Sequence, residues 1–191
     1  EMTQINFTIP CSFDERLIDA LDDLNQKHSG AKVASEVYGS LATAPVPSSR
    51  PSNILPEIEM SELEKFIALC HAKGIKFSYT QNGLCMGSKE HTLERATEIG
   101  QFFRDIVNTG IDAITITNPY LMEIFHLQSP KIPITVSTIA NTSSIQHVRR
   151  YKENGASKIC ISQDSNRDFD LINAIARMEL GVVVVLNNPC L

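Results

Sequence analysis

Two cysteines and one carboxylate stand where this 191-residue chain could most readily do chemistry. Cys85 and Cys190 each lie just past a segment with strand character. A thiolate there can ligate a metal or act as a nucleophile, provided a neighbouring cation or histidine lowers its pKa. The competing role is that of a partly buried free thiol, since unpaired cysteine packs as a small hydrophobe. Asp164 is the single carboxylate at such a segment end, which makes it the general-base candidate by position. Its alternative is loop or cap hydrogen bonding near Asp168. With no second carboxylate placed beside it, paired acid and base work has no support, and Cys190 is the remaining catalytic candidate.

A series of amides accompanies these groups. Phe77 to Tyr79 runs into Gln81 and Asn82, Ile114 to Thr117 into Asn118, and Ile134 to Ile139 into Asn141. Ile159 to Ser162 leads to Gln163 and Asp164, and Val182 to Leu186 leads to Asn187 and Asn188. Asn82, Asn118, Asn141, Asn187 and Asn188 are neutral hydrogen-bonding groups that suit the orientation of a polar substrate; each could equally cap a helix or shape a turn. Arg50, in the Pro/Ser-rich loop 40–56, could clamp a carboxylate or phosphate bidentately, and Tyr38, Ser40 and Tyr79 could line the same mouth. Cys70 and Cys160 read as core. The five histidines, His28, His71, His91, His126 and His147, fall on predicted helices or at their ends, and neither HExxH nor a paired-histidine zinc spacing occurs. A zinc metalloprotease of that type is therefore disfavoured.

The elements that must position these groups alternate. The spacing predicts strands at 5–9, 33–38, 76–81, 113–117, 133–139, 157–162 and 182–187, with helices at 13–27, 61–73, 90–109, 120–128, 143–154 and 169–180. Ser12 with Glu15 and Ser61 with Glu64 have capping-box spacing. Glycines at 74, 110, 155 and 181 fall between a helix and the next strand, where a left-handed turn lets the chain reverse. Helix 90–109 carries an apolar stripe from Leu93 through Ala96, Ile99, Phe102, Phe103 and Ile106 to Val107. Strands with Val and Ile on both faces, such as the last, read as parallel and covered.

Such alternation fits an open doubly wound sheet or a (β/α) TIM-barrel-like fold. No GxGxxG or Walker loop follows a strand, so the α/β barrel is preferred. It is incomplete, with seven parallel strands where a full barrel has eight and about 250 residues. The recurring polar strand ends then share one face, because parallel α/β proteins assemble sites at the carboxyl ends of their strands.

Composition narrows the function classes. The chain is 42% hydrophobic and 20% charged, enough for one core and one domain over residues 1–191. Its formal net charge is -5 and no long basic run occurs, which disfavours nucleic-acid binding and leaves only a small basic patch at Arg149, Arg150 and Lys152. No apolar stretch is long enough to span a bilayer, and no signal peptide opens the chain, so no membrane partner and a soluble, cytoplasmic protein are expected. The five cysteines are odd in number and form no CxxC pair, which argues against a disulfide framework. Glu1 in place of an initial Met points to a tag scar or an excised boundary.

At Tyr38-Gly39-Ser40-Leu41, Arg50-Pro51-Ser52, Leu55-Pro56, Gly74-Ile75-Lys76-Phe77, Asn118-Pro119-Tyr120-Leu121 and Asn187-Asn188-Pro189-Cys190-Leu191, the chain resembles the peptidase U32 family, the collagenase-like proteins. These blocks span residues 36–191. The resemblance implies a barrel, proteolysis of a polypeptide or similarly polar substrate, and the N-terminal part of a longer architecture. Some relatives instead use cysteine-bound iron-sulfur clusters to hydroxylate RNA bases or a quinone precursor without oxygen. In that pattern the Asn-Cys-Leu block opens a cysteine-rich segment, of which only Cys190 is carried over here, joined by Cys85 as a second metal-ligand candidate. An iron-sulfur cluster would thus need cysteines beyond Leu191. A noncatalytic binding or assembly module is the third reading. The missing strand also leaves a sheet edge for a second copy or another chain to cover.

Overall fold

The computed structural model describes residues 6–28, 34–46, 48–49, 55–86 and 92–186. Its elements run β1 (Phe7–Pro10), α1 (Glu15–Lys27), β2 (Ala34–Gly39), α2 (Met60–Ala72), β3 (Lys76–Gln81), α3 (Leu93–Asn108) and β4 (Ala113–Ile116). They continue with α4 (Pro119–Gln128), β5 (Ile134–Val136), α5 (Ile145–Glu153), β6 (Ala156–Cys160), α6 (Phe169–Arg177) and β7 (Gly181–Val183). All neighbouring strands pair in parallel, and the sheet order is β1-β2-β3-β4-β5-β6-β7. An open doubly wound sheet reverses its strand order at a switch point. Unbroken sequential order is instead the winding of a (β/α) barrel, here incomplete at seven strands.

Side-chain alternation divides the sheet into two faces of opposite chemistry. One face carries Val37, Phe77, Tyr79, Ile114, Ile116, Ile134, Val136 and Ile159, all buried within the main apolar cluster. Helices cover it. Phe66 of α2 packs edge-on to Phe77 with ring centroids 6.1 Å apart, and Phe102 of α3 packs against Tyr79 at 5.9 Å. Phe103 of α3 meets Phe125 of α4 edge-on at 5.1 Å. The fully buried rings among these, Phe77, Tyr79, Phe103 and Phe125, each stabilise the fold by roughly 1.5–3 kcal/mol relative to exposure. The other face points into the barrel.

Helix starts differ from the sequence expectation. At α1 the cap is Asp14, which accepts from the Arg16 backbone N–H at 3.0 Å, and the Ser12/Glu15 box is not used. Phe13 takes a left-handed φ of 62°, so the chain turns between Ser12 and the helix and only Asp14 is placed to cap. At α2 the box is Glu59 with Glu62, not Ser61 with Glu64, because the helix begins at Met60. Glu62 accepts from the Glu59 N–H at 2.8 Å.

Three of the four helix-to-strand glycines adopt the left-handed turn: Gly74 at φ 66°, and Gly110 and Gly155 at 90°. Gly181 does not. The reversal after α6 falls on Glu179 at φ 60°, and Gly181 is the first residue of β7. Strand ends shift too. The expected strand 133–139 stops at Val136 because Thr138–Ala140 winds into a 3₁₀ turn, with Ser137 Oγ accepting from the Ile139 N–H at 3.3 Å. In α3, Ile99, Phe103 and Ile106 are fully buried as expected, while Leu93 is 85% exposed and stands off the stripe. The expected last strand 182–187 is short, Gly181–Val183, and beyond it Val184 is 36% and Leu186 72% exposed.

At the amino ends of the strands, Asp112 ties β3 to the approach of β4. Its Oδ2 accepts from the Phe77 N–H at 2.8 Å and lies 2.8 Å from His71 Nε2. The Asp112 N–H returns a bond to the Phe77 carbonyl at 2.9 Å. This histidine therefore works at the end of the barrel away from the candidate site, where contacts serve stability.

Candidate functional site

The barrel-facing side of the sheet is hydroxyl-rich and charged. Registers place Thr8 beside Glu36, Tyr38 beside Ser78, Thr80 beside Thr115, Thr115 beside Thr135, and Thr135 beside Lys158. Ala113 and Cys160 share this parity; both are buried yet stand outside the main apolar cluster. Interiors of such barrels are ordinarily filled with layers of Val, Ile and Leu. This lumen is built for polar contact.

An ion pair measures how far the sheet curls. Neighbouring strands lie about 4.8 Å apart, so β2 and β6, four strands apart, would be about 19 Å from each other in a flat sheet. Lys158 Nζ of β6 nevertheless lies 3.9 Å from Glu36 Oε2 of β2. The contact therefore crosses the lumen. Thr8 Oγ1 of β1 donates to Glu36 Oε1 at 3.3 Å and orients the carboxylate. On the opposite side, a Cβ on Gly181 would come within 2.8 Å of Lys158 Cγ, so only glycine lets the lysine stem lie across β7. Neither Glu36 nor Lys158 is among the residues expected from the sequence. Their signal was present, in charged residues alternating with apolar ones inside predicted strands, but attention to strand ends passes over strand interiors.

Around the carboxyl-end rim the expected residues separate by role. The loop after β2 folds over the end of β3: the Ser49 N–H and Oγ both donate to Asn82 Oδ1 at 3.0 Å, Gln81 donates to the Val46 carbonyl, and Arg95 Nη2 donates to the Pro45 carbonyl at 2.7 Å. Asn82 thus anchors the loop with its side-chain oxygen, while its backbone carbonyl accepts from Thr117 Oγ1 at 3.1 Å. Ser40 is buried and donates to the Thr80 carbonyl at 2.7 Å. Tyr38 is half-buried on the lumen face, and the Tyr79 hydroxyl, on the helix-covered side, accepts from the Leu41 N–H at 3.2 Å. Asn118 caps α4 by accepting from the Tyr120 N–H at 2.9 Å, and Asn141 takes the left-handed position at φ 51° that ends the 3₁₀ turn. Asp164 is exposed in the 3₁₀ turn Gln163–Ser165 directly after β6. Cys85 is exposed beyond β3. Arg50, Asn187, Asn188 and Cys190 lie outside the described residues.

Thiol environments decide what the cysteines can do. Burial pushes the Cys70 thiol up to about 12, with the neighbouring Cys11 adding to it. Burial also raises the Cys160 thiol, which hydrogen bonds with Thr138 partly offset. Both are held protonated and are poor metal ligands. Among the described residues no three His, Cys, Asp or Glu side chains gather into a metal site. The described cysteines therefore do not form the ligand set of an iron-sulfur cluster. No helix among the described residues is long and apolar enough to cross a membrane.

Seven parallel strands wound in sequence around a polar lumen, with helices outside and loops gathered over the carboxyl ends, define a TIM-barrel-like α/β protein with an incomplete barrel. Residues 31–185 match the profile of peptidase family U32, and the chain belongs to that family. A protein described as uncharacterized protease MJ1657, from Methanocaldococcus jannaschii, is 25% identical over 175 residues, covering 91% of this chain and 51% of its own length. The chain thus spans about half the length of that curated relative. Among solved structures, the U32 peptidase Mk0906 superimposes with a TM-score of 0.72 at 14% identity, covering 95% of this chain and 67% of that one. The 3-keto-L-gulonate-6-phosphate decarboxylase of Vibrio cholerae superimposes at 0.56 and 10% identity, covering 95% and 78%, and shares the fold alone.

Proposed function

We propose that the chain is the barrel portion of a peptidase that takes a polypeptide, or a similarly polar chain, across its carboxyl-end rim and lumen. The observation that carries this reading is the family match over residues 31–185 coupled to a hydroxyl-rich, charged lumen where a packed apolar core is usual. An extended peptide offers a carbonyl and an N–H at every residue. Alternating hydroxyls, amides and one ion pair are suited to receiving them.

In this reading Asp164 is the general base by position, exposed at the end of β6, with Cys190 as the second catalytic candidate. Tyr38, Ser40, Arg50, Asn82, Asn118, Asn141, Asn187 and Asn188 orient the substrate or shape the rim that does so. The buried thiols Cys70 and Cys160 fit a reducing compartment such as the cytoplasm. The edges of β1 and β7, the outer strands of the sheet among the described residues, take a further strand from the longer architecture or from a second copy. Light scattering that finds only monomers at all concentrations would remove the second-copy form of this completion.

Incubating the protein, freed of contaminating protease, with unfolded polypeptides should release fragments. Asp164→Asn should lower that rate by roughly 10²-fold or more, the usual scale of a lost general base. No cleavage of any polypeptide would overturn the hydrolase reading and favour a binding module on the same barrel.

A further inference from the structure

We infer that the Glu36–Lys158 pair in the lumen is a binding site for the free carboxyl end of a peptide, with Lys158 as its anchor. This deepens the reading of the chain as a polypeptide-handling barrel and rests on it. The ammonium is placed but not saturated. Its nearest carboxylate oxygen is at 3.9 Å, beyond hydrogen-bond distance, and its side chain remains 41% exposed. Gly181 fixes the direction of the stem by leaving room for Lys158 Cγ where any Cβ would collide at 2.8 Å. A cation held in place without a hydrogen-bonded partner is ready to accept an anion.

Glu36 selects which anion. Its carboxylate is 14% exposed and oriented by Thr8, and it presents Oε2 toward Lys158. A dianionic phosphate seated on the lysine would be repelled by this neighbour. The last residue of a peptide carries a single negative charge and, beside it, its own backbone N–H. Carboxylate on Lys158 and N–H on Glu36 satisfy both members of the pair at once. Lys76, the register partner of Glu36, is the other cation of this face and leaves it with a positive balance within an acidic chain.

The polar character of this face continues from the pair toward the carboxyl end of β3. Thr80 lies on the same face, is 7% exposed, and its Oγ1 has no hydrogen-bond partner. A buried hydroxyl left unsatisfied is costly, so this position is one that the apolar filling usual in such barrels does not explain.

The test measures binding, not cleavage. Isothermal titration of the protein with a tripeptide bearing a free carboxyl end, and with the same tripeptide amidated, should show at least a tenfold preference for the free form. Lys158→Met should abolish that preference while the melting temperature stays close to that of the parent, and Lys158→Arg, which keeps the charge, should retain part of it. Gly181→Ala should weaken the free peptide selectively by displacing the lysine stem. Inorganic phosphate should not compete at concentrations where the peptide saturates. Equal affinity for the two peptides, no binding of either, an unchanged preference in Lys158→Met, or effective competition by phosphate would each overturn the assignment. A carboxylate preference without cleavage keeps this site and sinks the hydrolase reading; cleavage without the preference does the reverse.

Discussion

Cys70 and Cys85 carry the same thiol in opposite surroundings. Cys70 is fully buried and held protonated far above physiological pH, whereas Cys85 is exposed beyond β3. Thiol labelling of the native protein, localised by mass spectrometry, should therefore modify Cys85 within minutes and leave Cys11, Cys70 and Cys160 unmodified until the chain unfolds. Rapid labelling of Cys70 would contradict its placement in the core. Asp112 gives a prediction about stability. Asp112→Ala deprives the buried start of β3 of an acceptor and should cost about 1–3 kcal/mol in urea unfolding, the scale of an orphaned backbone donor. An unchanged midpoint would show that the Phe77 N–H finds water instead. At this scale the sequence is legible where a residue's role is local. Asn118 reads as a possible cap and is one, and Cys70 reads as core and is core. Glu36 and Lys158 were legible only as charged residues inside strands, because their importance comes from a contact across the lumen between strands more than 100 positions apart in the chain.

Glycines at element ends show how helix turns and strand pairing are coupled. Gly155 combines a φ of 90° with a position where a Cβ would meet the His126 ring at 2.4 Å. Gly155→Ala should therefore destabilise the protein by about 1–3 kcal/mol through both strain and collision. Adding His126→Ala should recover the collision part only, which a double-mutant cycle reads as a favourable coupling between the two sites. Additive costs would mean that the ring simply moves aside. Element types and order were readable because strand runs, helical stripes and left-handed glycines recur with the right periods. Boundaries were less so. The left-handed Phe13 and the Glu59–Glu62 box both lie outside the usual signals, since a bulky aromatic rarely takes positive φ and Ser or Asp is the customary cap. Gly181 was read as a turn residue and instead makes room for Lys158, a role visible only once β6 and β7 are in register.

As a whole molecule, the protein is a curled parallel sheet whose outer face is sealed by helices and whose inner face is polar. The curl was foreseeable from alternation of strands and helices with no nucleotide-binding loop, and sequential pairing bears it out. The chemistry of the lumen was not, because the same alternation that marks a strand does not say which parity faces inward. Only the helix contacts of Phe77 and Tyr79 settle that for this chain. The functional reading depends on the rim residues at strand ends and the ion pair inside serving one substrate together. Hydrogen-deuterium exchange, measured with and without a saturating unfolded polypeptide, addresses it directly. Slower exchange in segments 36–46, 78–86 and 158–166, with the outer surface of α2 and α3 unchanged, is the predicted result. Protection confined to those helices, with none at the rim or lumen strands, would contradict it.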